Sequence, residues 1–157
     1  MDDSPRPLFV IRHSSFVIGG IVAYFLAKSE PKVYSIAQLE RDGQTVWDGV
    51  KNAQAVAVIK TMQPGDIILI YHSGGESSIV GTAEVVSEPH LDPNEPKSWV
   101  VDLRYRGRVE PPVTLRQVKE SGKFADFNLV RHSRLSTMDV PHTFIDWLRS
   151  EYKVTIP

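Results

Sequence analysis

At 157 residues, with 41% hydrophobic and 24% charged side chains, the chain is long enough to bury the core of one domain without covalent staples. It contains no cysteine, which excludes disulfides and thiolate metal sites. A net charge of −1, from 18 basic and 19 acidic residues, argues against a surface that wraps long nucleic acid through many phosphates, but it permits a one-nucleotide pocket or a small basic patch.

Residues 8–21 are apolar-rich, yet Arg12, His13, Ser14 and Ser15 interrupt them, so the stretch is too short and too polar for a membrane span. Asp2 and Asp3 precede Arg6, unlike the basic start of a signal peptide. Phe9-Val10-Ile11 recurs as Phe16-Val17-Ile18, but two copies do not make a repeat architecture. Residues 1–22 therefore read as a disordered or marginal extension. No other targeting signal is visible, and the cytoplasm is the default location.

Residues 23–28 read as a buried strand that runs into the turn Lys28-Ser29-Glu30-Pro31. Ser35 and Gln38 have capping-box spacing, which predicts a short helix ending near Gly43. Residues 45–47 suit a brief strand. Asp48-Gly49 then marks a turn, because Asp bonds its own backbone and Gly takes angles closed to other residues. A helix is expected from Asn52, with Ala53, Val56, Ala57 and Ile59 as its apolar stripe and Pro64-Gly65 as its end.

From Asp66 the period changes. Residues 67–71 form a continuous apolar strand of the fully buried kind. Ser73-Gly74-Gly75-Glu76 is a hairpin loop, and residues 79–86 are the returning strand, with Gly81 where a side chain would obstruct a neighbouring backbone. Residues 89–96 read as a proline-rich polar loop. Residues 99–107 alternate, Val101, Leu103 and Tyr105 facing one way and the row Arg104, Arg106, Arg108 the other, as a solvated strand face.

Pro111-Pro112 should break that strand. Thr114 and Gln117 form a second capping box, opening a helix that Gly122 stops. Residues 124–130 suit another helical turn, residues 135–140 a last strand, and residues 141–152 a helix with Phe144, Ile145, Leu148 and Tyr152 inward. Trp99 and Trp147 lie in apolar-periodic stretches and read as core. Five or six short strands with helices in the connections predict an α+β fold around a barrel-like mixed sheet, not a doubly wound one.

The chemistry concentrates in Val46-Trp47-Asp48-Gly49-Val50-Lys51-Asn52, which gathers a large ring, a turn, a cation and a bidentate amide. Trp47 is equally readable as a core aromatic, and Asn52 as the cap of the next helix. A catalytic set can be named from His72, Ser73, Asp48 and Glu30. Adjacent strand residues point to opposite faces, however, and no Gly-x-Ser-x-Gly elbow is present. Gly74-Gly75 lacks the Lys-Ser/Thr and the helix of a phosphate loop. The five histidines, at 13, 72, 90, 132 and 142, show no two-ligand spacing, so no metal is expected.

A pocket for one base accounts for more residues together, since a flipped base is held by stacking on aromatic faces and by hydrogen bonds to its edge. Trp47 and Tyr71 are the stacking candidates, and Asn52, Ser29 and His72 the edge contacts. Lys28, Lys51, Arg131 and Arg134 are candidates for the flanking phosphates.

Three segments in this order, Tyr24-Phe25-Leu26-Ala27-Lys28-Ser29-Glu30-Pro31, then Val46 to Asn52, then Gly65-Asp66-Ile67-Ile68-Leu69-Ile70-Tyr71-His72-Ser73, resemble the EVE domain family, small members of the PUA-like group. Ile79-Val80-Gly81-Thr82-Ala83-Glu84-Val85 and Arg134-Leu135-Ser136 fit as well. The resemblance runs over residues 23–153 and sets the expected domain at 23–155. Residues 1–22 then precede the usual family start, consistent with an upstream start codon.

The resemblance implies a PUA-like pseudo-barrel that reads modified bases, with Ser29, Trp47, Asn52, Tyr71, His72 and Ser136 near the ligand. Lys51 departs from the arginine usual in the family, keeping the charge but losing the planar fork. The expected function is a monomeric, non-enzymatic reader of a modified nucleobase, a cytosine derivative in DNA, with no cofactor and no membrane partner. Two alternatives stand beside it. One is an enzyme on the same scaffold acting on nucleotides or RNA through His72, and the other a module that holds a small aromatic metabolite.

Overall fold

A computed structural model of the chain describes residues 21–157. The expectations for residues 1–20 lie outside the described residues. Ile21 is exposed and Val22 packs against the core.

Among the described residues seven strands and five helices follow one another in a single α+β unit. They are β1 (Tyr24–Ser29), α1 (Ile36–Asp42), β2 (Gln44–Trp47), α2 (Ala53–Ile59), β3 (Ile67–His72), β4 (Ser78–Val85), β5 (His90–Asp92), β6 (Glu95–Thr114), α3 (Leu115–Glu120), α4 (Asn128–Arg131), β7 (Thr137–Asp139) and α5 (His142–Tyr152). The sheet order is β2-β6-β4-β3-β1-β7, with β5 paired to β6. All pairs are antiparallel except β1 with β3. Those two run parallel because α1, β2 and α2 form the crossover between them. The expected barrel is not closed, since β2 and β7 remain edges. Helix α2 packs against both β6 and β7 and so spans the opening. No helix among the described residues is long and apolar enough to cross a membrane.

Both expected capping boxes form, Ser35 with Gln38 and Thr114 with Gln117. Asn52 caps α2, whose inward stripe is Ala55, Val56 and Ile59; Ala53 and Ala57 face solvent instead. Asp66 holds the start of the sheet from a buried position, its carboxylate accepting from Ala23 N at 3.2 Å and Gln63 N at 2.9 Å.

Two expected loops are strand. Residues 89–96 fold as the β5–β6 hairpin, with His90 and Leu91 opposite Val100 and Trp99; Asn94 N donates to Asp92 Oδ1 at 2.9 Å across the tip. Pro111-Pro112 does not end β6. Ile79 pairs with Val113 and Gly81 with Arg108, so residues 109–112 bulge out of the ladder. A bulge removes the demand for a backbone donor, which is why proline is tolerated there.

Gly81 sits where close approach requires it. A Cβ would stand 2.9 Å from the carbonyl oxygen of Gly107 and would collide with the side chain of Ile36. The centre of the sheet is thereby pressed against the first turn of α1.

Helix α5 buries its inner face in the core. Phe144, Ile145 and Leu148 are fully buried, and the rings of Phe124, Phe127, Phe144, Trp147 and Tyr152 tile together at centroid separations of 4.8 to 5.6 Å. Trp147 is core, as its spacing predicts. Trp99 is only half-buried, its ring covered by the Lys60 ammonium at 5.0 Å. The arginine row is solvated but engaged. Arg104 and Arg106 share Glu84, and Arg108 bonds Glu40 at 2.9 Å.

Candidate functional site

The parallel pairing brings two carboxyl ends to one place, with Lys28 beside Tyr71 and Ser29 beside His72. The chain entering β7 joins them, as Lys28 N donates to Ser136 O at 2.9 Å. Ser29, Tyr71, His72, Ser136 and Lys28 thus converge at one end of the sheet. A crevice beyond the carboxyl ends of parallel strands is a common location for ligand sites in open sheets.

A tightly bonded turn roofs this end. Val33 N and Tyr34 N both donate to Glu30 O at 2.9 Å, and Ser29 Oγ donates to Tyr34 O. Tyr34 Oη donates to Asp42 at 2.8 Å. The imidazole of His72 accepts, through Nε2, the N–H of Ile36 at 3.0 Å, the first residue of α1. That bond needs an unprotonated Nε2. Burial lowers the His72 pKa, and the Arg108 charge lowers it further.

The hydrogen bond also bears on the Ser-His-acid arrangement. The His72 lone pair that would serve as a base is engaged by backbone. Ser73 Oγ turns towards Ser29 O, at 3.5 Å, while Glu30 and Asp48 are exposed. Among the described residues no Ser-His-acid hydrogen-bonded set is present.

Trp47 and Tyr71, expected as stacking faces, are 8% and 3% exposed and belong to the hydrophobic core. Neither presents a ring to open solvent. The Trp47 indole meets Tyr34 edge-on at 6.3 Å, which ties it to the roof turn. Tyr71 lies under the Lys28 ammonium at 5.6 Å, and burial raises its pKa against the lowering effect of a hydrogen bond with Ser77.

Asn52 uses its side-chain oxygen to cap α2, accepting from Ala55 N at 3.0 Å. The cap reading therefore holds for that oxygen, while the residue remains exposed. No side-chain hydrogen bond or ion pair among the described residues joins Asn52 or Lys51 to the carboxyl ends of β1 and β3.

The expected phosphate contacts divide. Lys28 is half-buried and turned inward, with Nζ donating to Ser133 O at 3.0 Å; burial lowers its pKa. It ties the 131–134 segment to the carboxyl end of β1. Lys51, Arg131 and Arg134 are exposed, and no ion pair holds them among the described residues. Tyr34 and Ser133 escaped the sequence reading. An aromatic three residues after a turn proline was the available signal for Tyr34. Ser133 contributes only its carbonyl, which no side-chain pattern reveals.

Elsewhere, a cleft of about 440 Å³ is lined by residues including Phe124, Asp126, Asn128, Asp139 and Thr143, none of them among the expected site residues. Among the described residues no group of three or more His, Asp or Glu could hold a metal ion.

The EVE domain family matches residues 23–151. Thymocyte nuclear protein 1 of Rattus norvegicus is 27% identical, over 81% of this chain and 72% of its own length. A solved structure of a protein from Rhodopseudomonas palustris is 37% identical with a TM-score of 0.75, covering 80% of this chain and 89% of that one. The human THYN1 protein in complex with 5-methylcytosine-containing DNA has a TM-score of 0.75 over 86% of this chain and 99% of that one; at 23% identity the likeness is one of fold. With the family match spanning most of the sequence and the same α+β sheet in these neighbours, the chain belongs to the EVE domain family.

Proposed function

We propose that this protein is a non-enzymatic reader that takes one modified cytosine of DNA into the crevice at the carboxyl ends of β1 and β3. The observation that carries the reading is the convergence of Ser29, Tyr71, His72 and Ser136 under a turn whose Tyr34 meets Trp47. Hydroxyls, an imidazole and rings at one strand end match what a flipped base needs. Further support comes from the solved relative that holds 5-methylcytosine-containing DNA. Lys51, Arg131 and Arg134 are the exposed cations available for the flanking phosphates. Because Trp47 and Tyr71 are covered, the base meets their edges and the half-buried Tyr34, not two open faces.

The test is a binding panel of oligonucleotides identical except at one cytosine, which is unmodified, 5-methylated or 5-hydroxymethylated, at fixed salt. At least one modified form should bind about tenfold more tightly, a difference of about 1.4 kcal/mol. Equal affinity across the panel overturns the reading. Salt should weaken binding gently, with about two to four counterions released, and a log–log slope steeper than about −6 would contradict a one-nucleotide pocket.

A further inference from the structure

Four large apolar side chains are exposed among the described residues: Ile21 at 63%, Val33 at 74%, Val46 at 47% and Leu91 at 55%. Single exposed apolar residues are ordinary on protein surfaces. Val33 differs in its setting. It is the most exposed of the four, and it stands on the roof turn between Ser29 and Tyr34.

The backbone under it is held from several directions. Val33 N and Tyr34 N donate to Glu30 O, Pro31 fixes its own φ, and Ser29 Oγ holds Tyr34 O. Beyond Tyr34 the chain enters α1 through the Ser35 capping box and the His72 bond to Ile36 N. A β-branched side chain on such a turn has little rotamer freedom. The chain thus presents a stiff apolar knob to water near the carboxyl ends of β1 and β3, with exposed Lys32 next to it.

Taking a base out of a duplex leaves a gap in the stack and an unpaired partner base, at a cost the protein must offset. Apolar side chains inserted between base steps do this in other DNA-bending proteins. We infer that Val33 is such a wedge: it enters the stack of double-stranded DNA at the gap left by the nucleotide drawn into the crevice. The inference rests on the base-reader reading and deepens it, because it makes the partner a duplex and not a single strand or a loop. Lys32 is placed to meet a phosphate beside the gap.

The experiment compares the full chain with Val33→Ser and Val33→Leu on a paired duplex and a single strand of one sequence, each carrying one 5-methylcytosine, with the unmethylated single strand as control. Val33→Ser should weaken duplex binding about tenfold, and single-strand binding by no more than about twofold. Val33→Leu keeps an apolar knob and should retain duplex affinity. Unchanged melting temperatures for both variants verify that the turn stays folded. Equal weakening on both DNAs, or an unaffected duplex affinity in Val33→Ser, overturns the wedge. If the unsubstituted chain fails to distinguish methylated from unmethylated single strand, it is the base reading that fails, since Val33 plays no part in that comparison.

Discussion

Trp47 and Trp147 are almost equally buried, at 8% and 7%, yet they belong to different kinds of interior. Trp147 lies among Phe124, Phe144 and Tyr152, and its neighbourhood is ring against ring. Trp47 meets one ring, Tyr34, which stands on a turn held by hydrogen bonds to Ser29, Glu30 and Asp42. Equal fractional exposure thus hides two different coverings, a cluster of rings around Trp147 and a hydrogen-bonded turn beside Trp47.

The largest effect should come from Trp147→Ala, which removes the centre of the α5 cluster and should cost about 3–5 kcal/mol of stability in denaturant titration. Binding per folded molecule should be unchanged. If Trp147→Ala lowers affinity for methylated DNA instead, the two regions are not distinct.

Trp47→Ala is the counterpart. Its indole is buried, so some stability will be lost, but less than in Trp147→Ala. On the folded fraction it should lose about 1–3 kcal/mol of binding to methylated DNA. A variant that unfolds as readily as Trp147→Ala, with normal affinity per folded molecule, would make Trp47 simply another core ring.

Asn52 sharpens the boundary of the site at smaller magnitude. Asn52→Ala removes the α2 cap and should cost about 1 kcal/mol of stability. Asn52→Ser keeps a capping oxygen and should restore the melting temperature. If the amide also reads a base edge, Asn52→Ser should still bind methylated DNA more weakly than the unsubstituted chain. Full affinity in that variant would confine Asn52 to its cap.

The smallest effect concerns pH. Folding lowers the His72 pKa below its ordinary 6.5, so the unfolded chain binds more protons in that window. Stability from this group is complete above pH 6.5 and declines as pH falls towards the lowered folded value. His72→Gln keeps an acceptor for Ile36 N but does not titrate. The melting temperature of the unsubstituted chain should therefore fall more than that of His72→Gln between pH 7 and pH 5. Identical profiles would mean that folding does not lower the His72 pKa.

Local chemistry was legible without coordinates. Capping boxes at Ser35 and Thr114, the left-handed glycine at position 49, the buried run of β3 and the inward face of α5 each depend on residues within a few positions of one another. The sequence also placed Gly81 at a close approach, because a glycine inside an apolar strand has few other uses. What it missed needs two distant segments at once. The β5–β6 hairpin was hidden by its prolines, and the bulge at residues 109–112 is visible only against β4, which continues to pair beyond it.

The candidate site divides in the same way. Residue types marked Ser29, Tyr71 and His72, and the family resemblance added Ser136, but their meeting depends on the parallel register of β1 and β3 and on the return of the chain at β7. Only the tertiary structure decided that Lys28 turns inward to Ser133, that His72 is spent on a helix N-terminus, and that Trp47 is covered by Tyr34. The reason is physical. A side chain's type states which bonds it can make, whereas the partner it takes is fixed by whichever backbone and rings the fold brings within reach, and those come from segments far away in the chain.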